Sequence, residues 1–251
     1  MSENRKKIRL HVEDALSPGA QLILPTQQSH YLSQVMRVRE GDSVLLFNGE
    51  DGEWQATITR QDKKNCYVSL GKQTRAQESS LDLWLVFAPI KGKTDIVIEK
   101  AVELGVSRII PAVTNRTIVR SLNMERMRAH AVEAAEQCER LDVPVLEEPR
   151  HLTDILGSCQ QRDLLYADET GGGLLIKSLL ATLENAPKAL LIGPEGGFTP
   201  EEQKILKQQD FVKPFTMGAR ILRADTAAIA ALACIQAWCG DWDKKPAFGA
   251  E

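Results

Sequence analysis

The chain has 251 residues, of which 43% are hydrophobic and 26% are charged, and its formal net charge is −3 at pH 7. This length fits one large domain or a small domain followed by a medium one, and the composition is typical of a globular protein. The chain as a whole therefore lacks the excess of positive charge that is typical of nucleic-acid-binding proteins, although local clusters of arginine and lysine occur. No apolar run approaches the roughly 20 residues of a membrane-spanning helix, so we expect no membrane association.

The cysteines and histidines argue against a disulfide framework or a metal site. The five scattered cysteines are an odd number without a Cys-x-x-Cys pair, and the four histidines lack metal-ligand spacing. Residues 1–7 are not followed by the apolar run that a signal peptide needs. We therefore predict reduced thiols, no bound metal and a cytoplasmic location.

Residues 7–72 are predicted to form short strands around one helix. The predicted strands are Leu22–Leu24, Ser43–Phe47, Glu53–Thr59 and Cys66–Leu70, separated by turns such as Asn48-Gly49. His30–Arg37 has helical spacing, with Tyr31 and Val35 on one face and Leu32 and Met36 as further candidates for it. This pattern is typical of a small β-barrel. The polar residues that follow have no periodicity, and we place the boundary there, giving domains 1–74 and 75–251.

From residue 81 onwards, predicted strands and helices alternate. The predicted strands are Leu81–Ala88, Arg108–Val113, Leu164–Ala167, Ala189–Ile192 and Val212–Thr216. The predicted helices are Asp95–Leu104, Met124–Arg140, Leu174–Leu183, Pro200–Lys207 and Ala227–Trp238. This alternation predicts βαβ units, a parallel sheet with helices on both faces, and an α/β fold.

The most informative segment follows the apolar strand Ala189–Ile192. The glycines of Gly193-Pro194-Glu195-Gly196-Gly197 let the backbone approach a ligand closely. Thr199 and Glu202 then predict a capping box at a helix start. The segment lacks the Gly-Lys-Ser/Thr ending of a P-loop, and Glu195 would repel a phosphate. We therefore expect a neutral or cationic ligand with hydroxyl or amine donors.

Two further glycine-containing loops follow predicted strands. They are Ala167–Gly173 and Met217–Ala227, and the second contains Arg223 just before an apolar helix. Because loops at the carboxyl ends of parallel strands share one edge of a sheet, we expect all three loops to form one small-molecule pocket. Asp225 and Thr226 are also candidate helix N-caps.

Other segments have weaker implications for chemistry. Lys91-Gly92-Lys93 follows a predicted strand and fits either an approach to a phosphate or a solvated turn. Neither a Ser-His-Asp pattern nor a Gly-x-Ser-x-Gly motif is present, so nucleophilic catalysis by the protein has little support.

These segments together resemble the RsmE family of small-subunit ribosomal RNA uridine N3-methyltransferases, members of the SPOUT superfamily. The matching motifs are His30-Tyr31-Leu32, Met36-Arg37, Gly41-Asp42, Lys91-Gly92-Lys93, Lys100–Val106, Ile110-Pro111, Asn115-Arg116, Ala134–Gln137 with Arg140, Ile192–Phe198 and Gly218–Arg223. They occur in order over nearly the whole chain, and the last two together are highly specific. One departure is Asp225, where the family usually has Glu before Thr-Ala.

The resemblance implies a PUA-like N-terminal β-barrel that helps to hold RNA, and a C-terminal SPOUT domain threaded into a trefoil knot. It also implies a homodimer that uses S-adenosyl-L-methionine to methylate a specific uridine at N3 in 16S ribosomal RNA, free or in the small ribosomal subunit. The candidate cofactor-binding residues are Ala167, Gly193, Pro194, Glu195, Gly196, Gly197, Met217, Gly218, Ile221 and Leu222. The candidate RNA-binding residues are Arg9, Arg37, Lys91, Lys93 and Arg116.

The chemistry of uracil suggests catalytic roles within this family assignment. N3 must lose its proton before it can accept a methyl group, and Arg223 would stabilise the resulting imidate. Asp225 or Glu195 would accept the proton or orient Arg223, although hydrogen bonding to loop amides is an alternative role for Glu195. Two other classes stay open: an α/β transferase that uses another adenosine-containing ligand, and an RNA-binding assembly factor that has kept the fold without the chemistry.

Overall fold

The computed structural model describes residues 8–62, 64–119, 121–183 and 186–243. The chain forms two compact units, one of residues 1–79 with 135–143 and the other of residues 80–134 with 144–251. The expected division into contiguous domains 1–74 and 75–251 does not include this return of residues 135–143 to the first unit. No helix in the described residues is long and apolar enough to cross a membrane.

The first unit is built on one five-stranded sheet. Its elements are β1 (Arg9–His11), β2 (Gln21–Leu24), α1 (Thr26–His30), a π-helical turn (Tyr31–Val35), β3 (Ser43–Phe47), β4 (Glu53–Gln61) and β5 (Cys66–Arg75). The strand order is β1-β3-β4-β5-β2, and all pairs are antiparallel except β1 with β3. Leu24, Leu46, Ile58 and Val68 are buried in one core. The four predicted strands are confirmed, and β1 is an addition to them.

The helical segment of the first unit presents its predicted face outward. Tyr31 and Val35 are 40% and 62% exposed, whereas Leu32 between them is fully buried. The α-helix ends at His30 and the chain continues as a π-helical turn, which changes the angular spacing of the side chains. The apolar pattern therefore located the helix, but of the four residues proposed for its face only Leu32 is buried.

The second unit is an α/β domain. Its strands are β6 (Leu83–Phe87), β7 (Arg108–Val113), β8 (Val145–Leu146), β9 (Arg150–His151), β10 (Asp163–Ala167), β11 (Leu174–Leu175), β12 (Lys188–Ile192) and β13 (Val212–Thr216). Its helices are α2 (Thr94–Glu103), α3 (Met124–Gln137), α4 (Leu152–Ser158), α5 (Ile176–Leu180), α6 (Pro200–Lys207) and α7 (Ala224–Cys239), and the last residues of α3 fall in the first unit. The strand order is β11-β13-β10-β12-β6-β7-β8, with β9 beside β7, and the strands pair in parallel. The predicted α/β fold with a parallel sheet is confirmed.

Burial explains the apolar sequence of the central strand. β12 is buried along its whole length and lies between β10 and β6, as expected for a strand of a parallel sheet covered on both faces. The predicted helix from residue 174 is wrong at its start. Leu174 and Leu175 pair with β13 as the short strand β11, and the helix begins at Ile176.

Candidate functional site

Four neighbouring strands bring the candidate loops together. β13, β10, β12 and β6 are adjacent and parallel, so their carboxyl ends lie at one edge of the sheet. We call residues 193–199 after β12 the glycine loop, residues 217–223 after β13 the β13 loop, and residues 168–173 after β10 the β10 loop. The expectation that the three glycine-containing loops share one edge is confirmed by this strand order.

A pocket of about 250 Å³ lies between the β10 loop and the β13 loop. It is lined by residues 167–171 and 215–222, together with Ala227 of α7. The candidate cofactor-binding residues that line it are Ala167, Met217, Gly218, Ile221 and Leu222. The remaining candidates belong to the glycine loop, which contacts the β10 loop but does not line this pocket. The pocket is therefore formed by two of the three loops, and not by all three as expected.

Glu169 joins the glycine loop to the β10 loop. Its Oε1 accepts a hydrogen bond from the Phe198 amide at 3.1 Å. Gly197 has a φ of 68°, and a Cβ there would lie 2.4 Å from the same Oε1. A Cβ on Gly193 would lie 2.7 Å from the Phe198 ring. The glycines of this loop therefore permit close packing within the protein.

Arg116 and Glu202 also hold the glycine loop. Arg116 Nη1 donates to the Gly196 carbonyl at 2.7 Å. Glu202 Oε2 accepts from the Thr199 amide at 2.8 Å, and Thr199 Oγ1 accepts from the Glu202 amide at 3.3 Å, which confirms the predicted capping box. Glu202 Oε1 also accepts from the Asn115 amide at 2.8 Å. Arg116, a candidate RNA contact, thus has an internal role as well.

The β13 loop has few internal contacts. Within the described residues, no backbone amide of residues 217–223 donates a hydrogen bond to the protein. Ile221 is 91% exposed, and nothing lies within 4 Å of the position that a Cβ on Gly218 would occupy. Arg223 is exposed at the N-cap position of α7, where its side chain caps no amide. The β13 loop therefore has amide donors available for ligands, and the cation of Arg223 is available beside the pocket.

Asp225 is paired with Lys93. The Lys93 Nζ lies 2.5 Å from Asp225 Oδ2, and this hydrogen-bonded ammonium lowers the pKa of the Asp225 carboxyl. Glu195 is exposed, and no residue in the described part of the chain bonds to its carboxylate, so the alternative of bonds to loop amides is not seen. Sequence reasoning did not find the partner of Asp225, because Lys93 precedes it by more than a hundred residues.

Asp168 forms the buried polar part of the pocket wall. The residue is 4% exposed, and its Oδ1 accepts from the amide and the hydroxyl of Thr170 at 2.9 and 2.6 Å. Its Oδ2 has no hydrogen-bond partner among the described residues. Nearby, burial and the carboxylates of Glu169 and Asp168 raise the pKa of the Tyr166 phenol. Sequence reasoning missed Asp168, although an acid directly after a strand and before three glycines was a usable signal.

Arg9 does not lie at an accessible surface. It is 7% exposed, and its guanidinium donates to Glu53 Oε2 at 2.6 Å and to the carbonyls of Ala135, Glu136 and Arg140 at 2.8 to 3.2 Å. These contacts lie within the first unit and use the charge of Arg9 to hold the end of α3. The expectation of an RNA contact at Arg9 is corrected accordingly.

Arg37 and Lys91 differ from the other candidate RNA contacts. Both are exposed, and neither forms a hydrogen bond or ion pair with another described side chain. Arg37 also has a φ of 53°, which is uncommon for a residue with a Cβ. Their cationic groups are therefore available to an external anion.

The arrangement at the pocket favours a particular ligand chemistry. Asp168 offers a buried acceptor, the amides of the β13 loop offer donors, and Ile221 and Leu222 offer apolar surface. Two carboxylates, those of Asp168 and Glu169, lie along the β10 loop and disfavour phosphate on that side, while Arg220 stands in the β13 loop on the other side. A neutral or cationic ligand with hydroxyl or amine donors and an apolar ring fits this set.

Comparison with known proteins points to one family. Residues 77–236 match the family model of an RNA methyltransferase domain, and residues 24–71 match that of an RNA methyltransferase PUA domain. Ribosomal RNA small subunit methyltransferase E of Rickettsia conorii is 35% identical over 91% of this chain and 94% of its own length. The protein of the same name from a Synechocystis species is 32% identical over 87% of this chain and 73% of its own length.

A solved structure extends the similarity to three dimensions. Ribosomal RNA small subunit methyltransferase E from Neisseria gonorrhoeae, bound to S-adenosyl methionine, superposes with a TM-score of 0.83 at 28% sequence identity. The match covers 94% of this chain and 99% of that chain. Both units of the present chain therefore have counterparts in one known architecture.

Proposed function

Because the chain belongs to the ribosomal RNA small subunit methyltransferase E family, we propose that it methylates N3 of a specific uridine in 16S ribosomal RNA, with S-adenosylmethionine as the methyl donor. The observation that carries the proposal is the pocket between the β10 loop and the β13 loop. Its buried acceptor, free amide donors and apolar residues match the ribose hydroxyls, the adenine edge and the cationic sulfonium of this cofactor.

The residues present fit this cofactor. Ala167, Met217, Gly218, Ile221 and Leu222 line the pocket and would bind the adenosyl group. Gly193, Pro194, Glu195, Gly196 and Gly197 stand in the neighbouring glycine loop and would border the reacting end. When bound, S-adenosylmethionine supplies an electrophilic methyl group on sulfur. Everything else that the reaction needs must come from the protein and the RNA.

Arg223 is the proposed electrostatic catalyst. Uracil N3 becomes nucleophilic only when its proton leaves and negative charge spreads over the neighbouring oxygens. The exposed guanidinium of Arg223, at the start of α7, has no acid partner among the described residues and is available to stabilise that charge. The target uridine must also be unpaired, because N3 lies on the Watson–Crick edge.

Glu195 is the better candidate for the proton acceptor. Asp225 is held by Lys93, which lowers its pKa and makes it a weaker base. Glu195 is exposed and without such a partner within the described residues. The ion pair of Asp225 with Lys93 instead holds the first turn of α7. Arg223 is the N-cap residue of this helix, two residues before Asp225. Both acids remain in the proposal, with Glu195 as the base and Asp225 in support.

The finer features of the family are proposals for this chain. Arg37 and Lys91 would each contact RNA phosphates, because their charges are available. Lys93 and Arg116 would do so only in addition to their internal bonds. The trefoil knot, the homodimer and the cytoplasmic location are likewise proposed, on the strength of family membership.

Mass spectrometry of 16S ribosomal RNA nucleosides tests the function. A strain that lacks the gene should lose one 3-methyluridine, and the cloned gene should restore it. Unchanged 3-methyluridine in that strain would contradict the proposal. A defect in ribosome assembly in that strain, without any change in the nucleosides, would instead indicate an RNA-binding assembly factor.

A further inference from the structure

The carboxylate of Asp168 is an unexplained feature of the pocket wall. It is 4% exposed, and its two oxygens have different environments. Oδ1 is held by two bonds from Thr170, whereas Oδ2 has no partner in the described residues. The phenol of Tyr166 lies beside both acids of the β10 loop: it donates to Glu169 Oε2 at 3.4 Å, and the Asp168 carboxylate helps to raise its pKa, but it forms no hydrogen bond to Oδ2. A buried acceptor without a donor is unfavourable unless a ligand provides one.

The chemistry of this oxygen limits what can bind to it. A carboxylate oxygen accepts hydrogen bonds and repels anions, so its partner must be a hydroxyl or an amine. The pair of bonds from Thr170 fixes the plane of the carboxylate, which leaves Oδ2 as one acceptor in a defined direction. A single fixed acceptor suits a sugar hydroxyl, as in nucleotide-binding folds where an acidic side chain binds the ribose.

We propose that Asp168 Oδ2 accepts a hydrogen bond from a ribose hydroxyl of the adenosyl ligand, and that Thr170 is the positioning residue that holds Asp168 for this contact. The proposal rests on the proposed function, since it requires an adenosyl ligand in this pocket. Asp168 would then make the pocket select ligands with an intact ribose over the corresponding deoxy ligands.

The close packing of the β10 loop supports the assignment. A Cβ on Gly172 would lie 2.4 Å from Asp168 Oδ2, so any other residue at this position would collide with the unpartnered oxygen. Asp168 itself lines the pocket together with Thr170 and Gly171. The residue that carries the acceptor is therefore part of the cavity wall.

Calorimetric titration of the full-length protein tests the contact without any need for turnover. The ligands are S-adenosylhomocysteine, its 2′-deoxy and 3′-deoxy analogues, and an analogue that lacks the amino group. The proteins are the wild type, Asp168→Asn, which keeps the shape of the side chain, Asp168→Ala, and, as the matched control, Asp210→Asn, the same change at an exposed residue outside the pocket lining. For the wild type we expect loss of one ribose hydroxyl to weaken binding by about 10-fold to 100-fold.

The variants separate a direct contact from a structural role. In Asp168→Asn and Asp168→Ala, S-adenosylhomocysteine and the matching deoxy analogue should bind within about threefold of each other, while Asp210→Asn keeps the wild-type ratio. Equal weakening of all ligands in the Asp168 variants would overturn the contact. A discrimination that follows the amino group rather than the ribose would overturn the choice of donor. Failure of the wild type to bind S-adenosylhomocysteine at all would contradict the proposed function itself.

Discussion

The glycine loop and the β13 loop both follow a buried strand and precede a helix, yet the protein holds them very differently. The glycine loop is fixed by bonds from Arg116, Glu169 and Glu202. The β13 loop has no donated amide bond within the described residues, and Ile221 in it is 91% exposed. We infer that the first is preformed beside the pocket, whereas the second becomes ordered on the ligand.

The largest expected effect is on the rate of methyl transfer, and it comes from Arg223 at the end of the β13 loop. Arg223→Ala should lower the rate of methyl transfer by at least about 100-fold, because removal of a group that stabilises a developing anion raises the barrier by roughly 3–4 kcal/mol. The affinity for S-adenosylhomocysteine should stay within a few-fold, since Arg223 does not line the pocket. Single-turnover assays and calorimetry measure the two effects separately.

A matched control keeps this result specific. Arg128→Ala removes another exposed arginine of the same unit, one that pairs with Glu148. Its turnover should be close to that of the wild type. Near-normal turnover in Arg223→Ala would remove Arg223 from the mechanism.

Two glycine substitutions compare the loops directly. Gly218→Ala introduces a Cβ at a φ of 89° into open space, so we expect a loss of about 1–2 kcal/mol from backbone strain alone. Gly197→Ala adds a collision with Glu169 Oε1 to similar strain and breaks the bond to the Phe198 amide, so it should lose about 1 kcal/mol more. Urea unfolding measures both. Equal losses would show that the glycine loop is no better braced than the β13 loop.

The capping box gives a smaller effect on the glycine loop. Glu202→Ala removes the acceptor for the Thr199 and Asn115 amides, and we expect a loss of about 1–2 kcal/mol in the free energy of unfolding. Glu201→Ala removes a neighbouring exposed acid from the same turn and serves as the control. If both variants lose the same free energy of unfolding, the loss comes from removing a negative charge at the helix N-terminus and not from the hydrogen bonds of Glu202.

The ion pair of Lys93 and Asp225 gives the smallest effect, and it depends on pH. The pKa of Asp225 is lowered in the folded protein, so the stabilisation is complete above the ordinary value of 3.8 and is lost as the pH falls through the folded-state pKa. Asp225→Asn should therefore be less stable than the wild type by about 0.5 kcal/mol at pH 7. The difference should disappear in strongly acidic buffer. A difference that persists there would have another cause.

The sequence predicted the fold well because local patterns determine most of it. Strand β12 is a continuous apolar run buried on both faces, and Thr199 with Glu202 marks a helix start whose bonds the structure confirms. Leu174 and Leu175 were misread as helix because their strand character comes from pairing with β13. The outward face of Tyr31 and Val35 likewise depends on a π-helical turn that no propensity indicates.

The site was less predictable because its important contacts join distant residues. A glycine after a strand indicates that another group approaches the backbone closely, but the sequence does not show which group. Gly197 packs against Glu169, whereas Gly218 has no neighbour in the described residues within 4 Å of its Cβ position. Arg9 and Lys93 read as available cations in the sequence, and only the fold pairs them with Glu53 and Asp225. Charge patterns therefore overestimate the number of groups that can meet RNA.

Hydrogen–deuterium exchange with and without S-adenosylhomocysteine tests the central claim most directly. The claim is that the cofactor binds between the β10 loop and the β13 loop and orders the latter. At saturating ligand, exchange should slow strongly at the amides of residues 217–223 and change little at residues 193–199, several of which are already hydrogen-bonded. Slowing confined to other parts of the chain, or unchanged exchange at residues 217–223, would contradict the account.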